Sequence, residues 1–319
     1  MGQADIISKK LFKNNAVFVD LINNTIFQGE KVLNPENVIE QSTEVLLANV
    51  HLQDMKNRYR DILRQAEIKS DESATYVIFG IENQTNVDYT MPIRVLWYDA
   101  MEYDRQRLEI IAHNIKNNKK PNTKAEYLCG FTPYDFIKPV ITIVVYFGKE
   151  PWDGPTQLHH MFNPKTPLPI LQQANNWRIN LVEPLKMTTE ELTNYTSDLG
   201  AVFTFMKYSR DADALMHAIR TDPRFDDLSD AAVDAINYFT HKKLSKISNG
   251  KGGNTMCLAL DIIEKRAFDD GYGRGVTNHT RKIVGKMLKA GIYSYEEIAD
   301  LNEIPVNDVK HIAEELHFN

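Results

Sequence analysis

A chain of 319 residues, 43% hydrophobic and 25% charged, has an ordinary globular composition and enough length to bury a core, as two domains or as one large domain with a smaller one. Its two cysteines, Cys129 and Cys257, are too distant for a metal-type spacing and too few for a disulfide framework, which points to a reducing cytoplasm, and no apolar run approaches the ~20 residues that span a bilayer. The net charge of −6 argues against a wholesale nucleic-acid coat but leaves room for a local phosphate-binding patch.

The opening MGQADIISKKLFKN has no signal-peptide core, and Ile6 stands where a myristoylation motif wants Ser or Thr. Residues 4–28 carry apolar side chains at helical spacing, with a break at Asn14–Asn15. Asn34-Pro35-Glu36-Asn37 reads as a turn. Residues 58–68 and 75–84 read as two strands around the polar cluster KSDES. Residues 90–117 follow as one long helix, whose apolar positions are Ile93, Leu96, Tyr98, Met101, Leu108, Ile111 and Ile115. A Lys-rich loop ends it. The β-branched run KPVITIVVYFG at 138–148 is an interior strand, and RINLVEP at 178–184 another. Beyond about residue 188 the apolar spacing becomes helical almost to the end, with helix starts at Thr188, Ser209, Ser229 and Asn254 and a candidate linker at 247–254. The plan is an α/β region at 1–187 and a helical region at 188–319.

The two strands at 58–68 and 75–84 pose a chemical question. Paired as an antiparallel hairpin whose turn is centred between Asp71 and Glu72, they set Asp61 directly across from Glu82, with Gln84 on the same face. The inference depends on register, since a slip of one residue sends the set to opposite faces. Two adjacent carboxylates repel, and a divalent cation relieves them: Mg²⁺ takes one or two carboxylates plus water and phosphate oxygens. Such a metal suits phosphodiester hydrolysis. The plainer reading pairs Asp61 with Arg58, Arg60 or Arg64 and leaves Glu82 at a solvated strand end.

The ordered series Asp61, then Glu82-Asn83-Gln84, then Met91-Pro92-Ile93-Arg94 and Tyr98, resembles the Rpn family of recombination-promoting nucleases and transposases, within the PD-(D/E)XK nuclease superfamily. VVYFGKEPWDGPTQLHHMF resembles the family's next strand and Trp-containing loop, and ADIISKKLFKNNAVFVDLINNTIFQG its first helix, so the likeness covers roughly residues 4–185. It implies a restriction-endonuclease-like mixed sheet flanked by helices, and metal-dependent cleavage of DNA, with Mg²⁺ as cofactor and Mn²⁺ able to substitute. Asp61 and Glu82 become the metal ligands. Gln84 takes the place of the superfamily's Lys, so it orients water or a phosphate oxygen without supplying charge. Arg94 then supplies the charge, holding the scissile phosphate from the head of the long helix, where Pro92 loses nothing by lacking an N–H. Tyr98 shares the face of Arg94. Its plainer role is packing, and that of Arg94 is a salt bridge to Asp61, Glu82 or Asp88. Asp20, a carboxylate among Phe18, Leu21 and Ile22, is a further candidate ligand, because some relatives place one on the first helix; its plainer place is the edge of the apolar stripe.

Lys116, Lys119, Lys120 and Lys124 surround the end of the long helix and make either a solvated loop or a track for a DNA backbone. His159 and His160 are adjacent, a poor chelating arrangement, and read as structural; Trp97, Trp152 and Trp177 read as anchors. The tail at 276–317 has the rhythm of a helix-turn-helix, but Asp308, Glu314 and Glu315 on the would-be recognition helix repel phosphate, which favours a structural helical hairpin. The expected protein is thus a cytoplasmic, Mg²⁺-dependent DNA endonuclease tied to recombination, mobile elements or phage defence, with DNA as partner, no membrane, and a homodimer as the assembly to test for. The alternative is a degenerate nuclease fold that binds DNA or protein without cutting.

Overall fold

The computed structural model describes residues 2–41, 61–70, 73–256 and 278–316. The start of the predicted first strand with Arg58 and Arg60, the hairpin tip at Asp71–Glu72, residues 276, 277 and 317 of the tail, and Cys257 lie outside them. The chain forms two compact units, Met1–Met256 and Cys257–Asn319.

The first unit is built on a five-stranded mixed sheet in the order β1 (Val38–Glu40), β2 (Ile62–Ser70), β3 (Ser73–Gln84), β4 (Val140–Tyr146), β5 (Asn180–Val182). The first three strands are antiparallel and the last three parallel. Parallel neighbours need a crossover, and the long helix α3 (Met91–Lys116) supplies it between β3 and β4. β3 is central and covered on both faces, which explains its nearly unbroken apolar run: Val77, Ile78, Phe79 and Ile81 are all buried.

One face of the sheet meets α3. Met91 and Val95 pack there with Val144, Tyr146, Trp152 and Ile179. The other face meets α1 (Gln3–Phe12) and α2 (Asn15–Ile26), split where the sequence breaks and capped by Asn14, whose side chain accepts from the Ala16 N–H. Buried Arg64 lies on this second side, bonded to Asn15 and the Lys13 carbonyl and stacked over Phe18.

Two expectations need correction. The division at 187 does not hold: α6 (Thr189–Asn194), α7 (Asp198–Tyr208), α8 (Ala212–Thr221) and α9 (Asp230–Thr240) belong to the first unit, where α1 packs on α9 and α2 on α7. The stretch 247–254 is a hydrogen-bonded loop folded against Asp226, Asp227 and Leu228, and the unit ends just beyond it. The second correction concerns α3. Its span agrees with the sequence reading, but Ile93, Leu108 and Ile115 are exposed, and Trp97 partly so, while Asp99, Glu102, Gln106 and Asn114 are buried. Each buried polar group has a partner: Asp99 accepts from Thr142 and Trp177, Glu102 from Arg105, Gln106 binds the Lys138 backbone twice, and Asn114 donates to Gly130 and Asp135.

Two short helices lie between α3 and α6: α4 (Lys124–Cys129) and α5 (Leu168–Gln173). In the second unit, residues 278–290 form helix α10, followed by α11 (Tyr295–Leu301) and α12 (Val306–Glu315). Val284, Ile298, Ala299 and Val309 make its small core. No described helix is long and apolar enough to cross a membrane.

Candidate active site

The hairpin register is the one expected. Ile62 pairs with Ile81 and Leu63 with Gly80, which carries Asp61 opposite Glu82. Glu82 is only 1% exposed although it closes the apolar run of β3. An ionised carboxylate that deep requires partners. Arg94 is one, its Nη2 3.2 Å from Glu82 Oε2. Asp61 accepts a hydrogen bond from the Asn83 backbone N–H at 2.9 Å, and Lys9 Nζ stands 3.7 Å from its other oxygen. Burial is the largest influence on Asp61 and pushes its pKa above the ordinary carboxylate value; Asp5 pushes the same way, against the Asn83 bond, Lys9 and Arg94.

Local sequence explains how Arg94 arrives. The Asp88 side chain accepts from both the backbone and the hydroxyl of Thr90, turning the chain into α3. Pro92 sits in the first turn, where no N–H is missed. One turn in, Arg94 reaches back to Asp88 at 2.7 Å and to Glu82. Burial opposes its charge, but Asp88, Glu82 and Tyr98 outweigh burial and raise its pKa further. Burial also works against the Asp88 carboxylate, yet the bonds from Arg94 and Thr90 hold its pKa below the usual value. Tyr98 follows at 6% exposure, its ring centroid 6.0 Å from the guanidinium carbon.

Asp61, Glu82, Gln84, Arg94 and Tyr98 thus line one polar cavity of about 530 Å³, joined by Asp5 and Asp88. The donor set suits a hard divalent cation in the manner of Mg²⁺, which completes its shell with water and phosphate oxygens. Asp61 and Glu82 both line it, each already facing a cationic side chain, and Asp61 has its pKa raised by burial. Among the described residues, no group of three or more His, Cys, Asp or Glu is placed to hold a metal.

The remaining candidates lie elsewhere. Asp20 is buried, but it is committed to the chain leading into α7: its carboxylate accepts from the Thr196 and Ser197 backbone, the Ser197 hydroxyl and Asn24. It does not line the cavity. Lys116, Lys119 and Lys120 sit at the opposite end of α3, about 33 Å from Arg94 at 1.5 Å per residue, and Lys119 is paired with Asp135 at 2.9 Å. His159 bonds the Ala174 carbonyl and His160 bonds Gln157, as structural groups would.

Sequence reasoning missed Lys9 and Asp5. Both sit on α1, and only the packing of that helix beside β3 brings them to the strand end. Asp88 was read as a possible partner of Arg94 but not as the residue that turns the chain into α3; the Asp-x-Thr spacing before Met91-Pro92 is a signal that could have shown it.

A family model described as "Putative transposase, YhgA-like" matches residues 5–224 of the chain. No curated protein and no solved structure matches it.

Proposed function

Because the chain belongs to the YhgA-like transposase family, of the Rpn and PD-(D/E)XK-like group, we propose that it is a cytoplasmic, metal-dependent endonuclease that hydrolyses phosphodiester bonds in DNA, on a PD-(D/E)XK-like fold. One observation carries the reading. Two carboxylates, one just before β2 and one in the adjacent β3, share an open polar cavity with a guanidinium from the start of the following helix.

In this reading Asp61 and Glu82 would hold Mg²⁺, or Mn²⁺ in its place, which when bound would supply activation of a water and an offset for charge on the phosphate. Arg94, anchored by Asp88, donates to a non-bridging phosphate oxygen and keeps part of its contact with Glu82. Gln84, half-buried on the cavity wall, directs water or phosphate through its amide. Tyr98 backs the guanidinium and limits its rotamers. Asp20 has no part in the chemistry.

Purified protein is expected to nick supercoiled plasmid with Mg²⁺ and to stop when the metal is chelated. Asp61→Ala and Glu82→Ala are expected to abolish nicking while circular dichroism stays native, and to remove the heat of Mn²⁺ binding seen by calorimetry. Nicking by both variants at the wild-type rate would overturn the assignment. A second reading, a fold that binds nucleic acid without cutting it, is favoured by the lack of a three-member ligand group among the described residues. Metal-independent DNA binding with no nicking under any divalent ion would select it.

A further inference from the structure

Further cavities adjoin the one at the carboxylates beyond Gln84. Thr85 and Asn86 close that cavity and also line a second one, of about 540 Å³, which reaches Phe147, Lys149 and His241. Phe147, Lys149 and Phe239 border in turn a third, of about 240 Å³, lined by Arg210 and Lys242. The three share walls in this way, and all their lining residues belong to the first unit.

The floor of this extension is aromatic and packed. The rings of Phe147 and Phe239 stack at 4.1 Å with planes 8° apart, and both residues are buried. The rim is cationic. Arg210 is offset by Glu150 at 2.6 Å, but among the described residues Lys149 and Lys242 make no ion pair, and both are exposed. The chain reaches Lys242 through His241, which ends α9 in the left-handed conformation at φ 55°. That geometry costs a non-glycine residue about 1 kcal/mol or more, and here it turns the chain so that His241 faces one cavity and Lys242 the next.

The distances suit a polyanion. Lys149 lies just beyond β4, five residues past Val144, the parallel partner of Glu82. At about 3.3 Å per residue along the chain and about 4.8 Å between strands, its backbone lies within about 21 Å of that of Glu82, the rise of about six nucleotide steps. Lys116 is farther, about 33 Å from Arg94 along α3.

We infer that this extension is the track of the bound strand, with Lys149 and Lys242 contacting phosphates on one side of the scissile bond. The inference rests on the nuclease reading given above and assigns that site its direction and its non-scissile contacts. The contacts are to backbone phosphates, so they confer affinity without sequence preference.

The test is binding, measured apart from cleavage. Full-length protein is titrated into a fluorescent DNA duplex in chelator, over a range of salt concentrations. Lys149→Ala with Lys242→Ala is expected to weaken binding equally across unrelated sequences and to make the slope of log affinity against log salt shallower by about 1.8. Lys116→Ala with Lys120→Ala is expected to leave the slope unchanged. Magnesium-dependent nicking by the Lys149/Lys242 variant is expected to recover at saturating DNA, a KM effect without loss of kcat. An unchanged slope in that variant, or a slope that responds only to Lys116 and Lys120, would overturn the track. If wild type binds no DNA in chelator or with Ca²⁺ and nicks none with Mg²⁺, the nuclease reading itself fails.

Discussion

Two buried carboxylate sites in the first unit look alike by burial and differ in everything else. Asp20 is 8% exposed and Glu82 is 1% exposed. Asp20 is held by neutral donors: two backbone N–H groups, a hydroxyl and an amide. Apart from the amide, which is Asn24 one turn along α2, those donors belong to the chain entering α7 and cannot leave without undoing it. Asp61 and Glu82 face Lys9 and Arg94, long cationic side chains beside an open cavity. Such partners can be exchanged for another cation. Burial alone therefore does not separate a structural acid from a chemical one; the replaceability of its counter-charge does.

The sharpest way to break this contrast is to remove the counter-charge. Arg94→Ala takes the guanidinium from a carboxylate with almost no access to water. Removing one member of a buried pair costs about 3–5 kcal/mol, so denaturant midpoints should fall markedly. Millimolar Mg²⁺ is expected to restore much of the loss, because a ligand that binds only the folded state stabilises it. A variant as stable as wild type without metal would show that Glu82 does not depend on a cation.

Asp20→Ala is the paired experiment and the next largest effect. It leaves the Thr196 and Ser197 N–H groups without their acceptor, and bonds to a charged group are worth about 1.5–3 kcal/mol each before relaxation. A loss of about 2–3 kcal/mol is expected, read from the same denaturation curves. Magnesium should recover none of it, and nicking measured well below the melting point should persist. Recovery by magnesium would return Asp20 to the metal site and erase the contrast.

How much of this could be read from the residues follows the range of the interactions. The hairpin register was legible because its determinants are local: alternation along two short strands and a polar turn between them. The span of α3 was legible for the same reason. Its buried face was legible only in part. Apolar spacing pointed to Tyr98, which is buried, but also to Ile93, Leu108 and Ile115, all of them exposed, whereas Asp99, Glu102, Gln106 and Asn114 are inside. Glu102 is paired within the helix, with Arg105, but the partners of Asp99, Gln106 and Asn114 (Thr142, Trp177, Lys138 and Asp135) come from later chain, and no helical periodicity encodes them. Lys9 and Asp5 escaped notice likewise, since a helix gives no sign of which strand end it will flank. Asp20 drew attention for a sound reason, a carboxylate in an apolar stripe, but its partners lie at Thr196 and Ser197, beyond any local pattern.

The smallest expected effect tests Asp61 itself. Burial raises its pKa above the ordinary carboxylate value, so between its unfolded and folded pKa the folded chain binds more protons than the unfolded one. Stability from this group is then fully present below the unfolded pKa and is lost as pH rises through the folded one. At neutral pH the ionised Asp61 is a liability to the fold, though Lys9 and the Asn83 N–H limit it. Asp61→Asn keeps an acceptor for that N–H and removes the charge. It is expected to raise Tm at pH 7–8 by less than either substitution above lowers it, and to lose that advantage as pH falls through the range where wild-type Asp61 protonates. Added Mg²⁺ should narrow the gap at neutral pH by stabilising wild type alone. A variant less stable than wild type at pH 7 would mean that Lys9 and the Asn83 bond already hold Asp61 as firmly as Asp20 is held, and the line between a fixed acid and an available one would have to be drawn at Glu82.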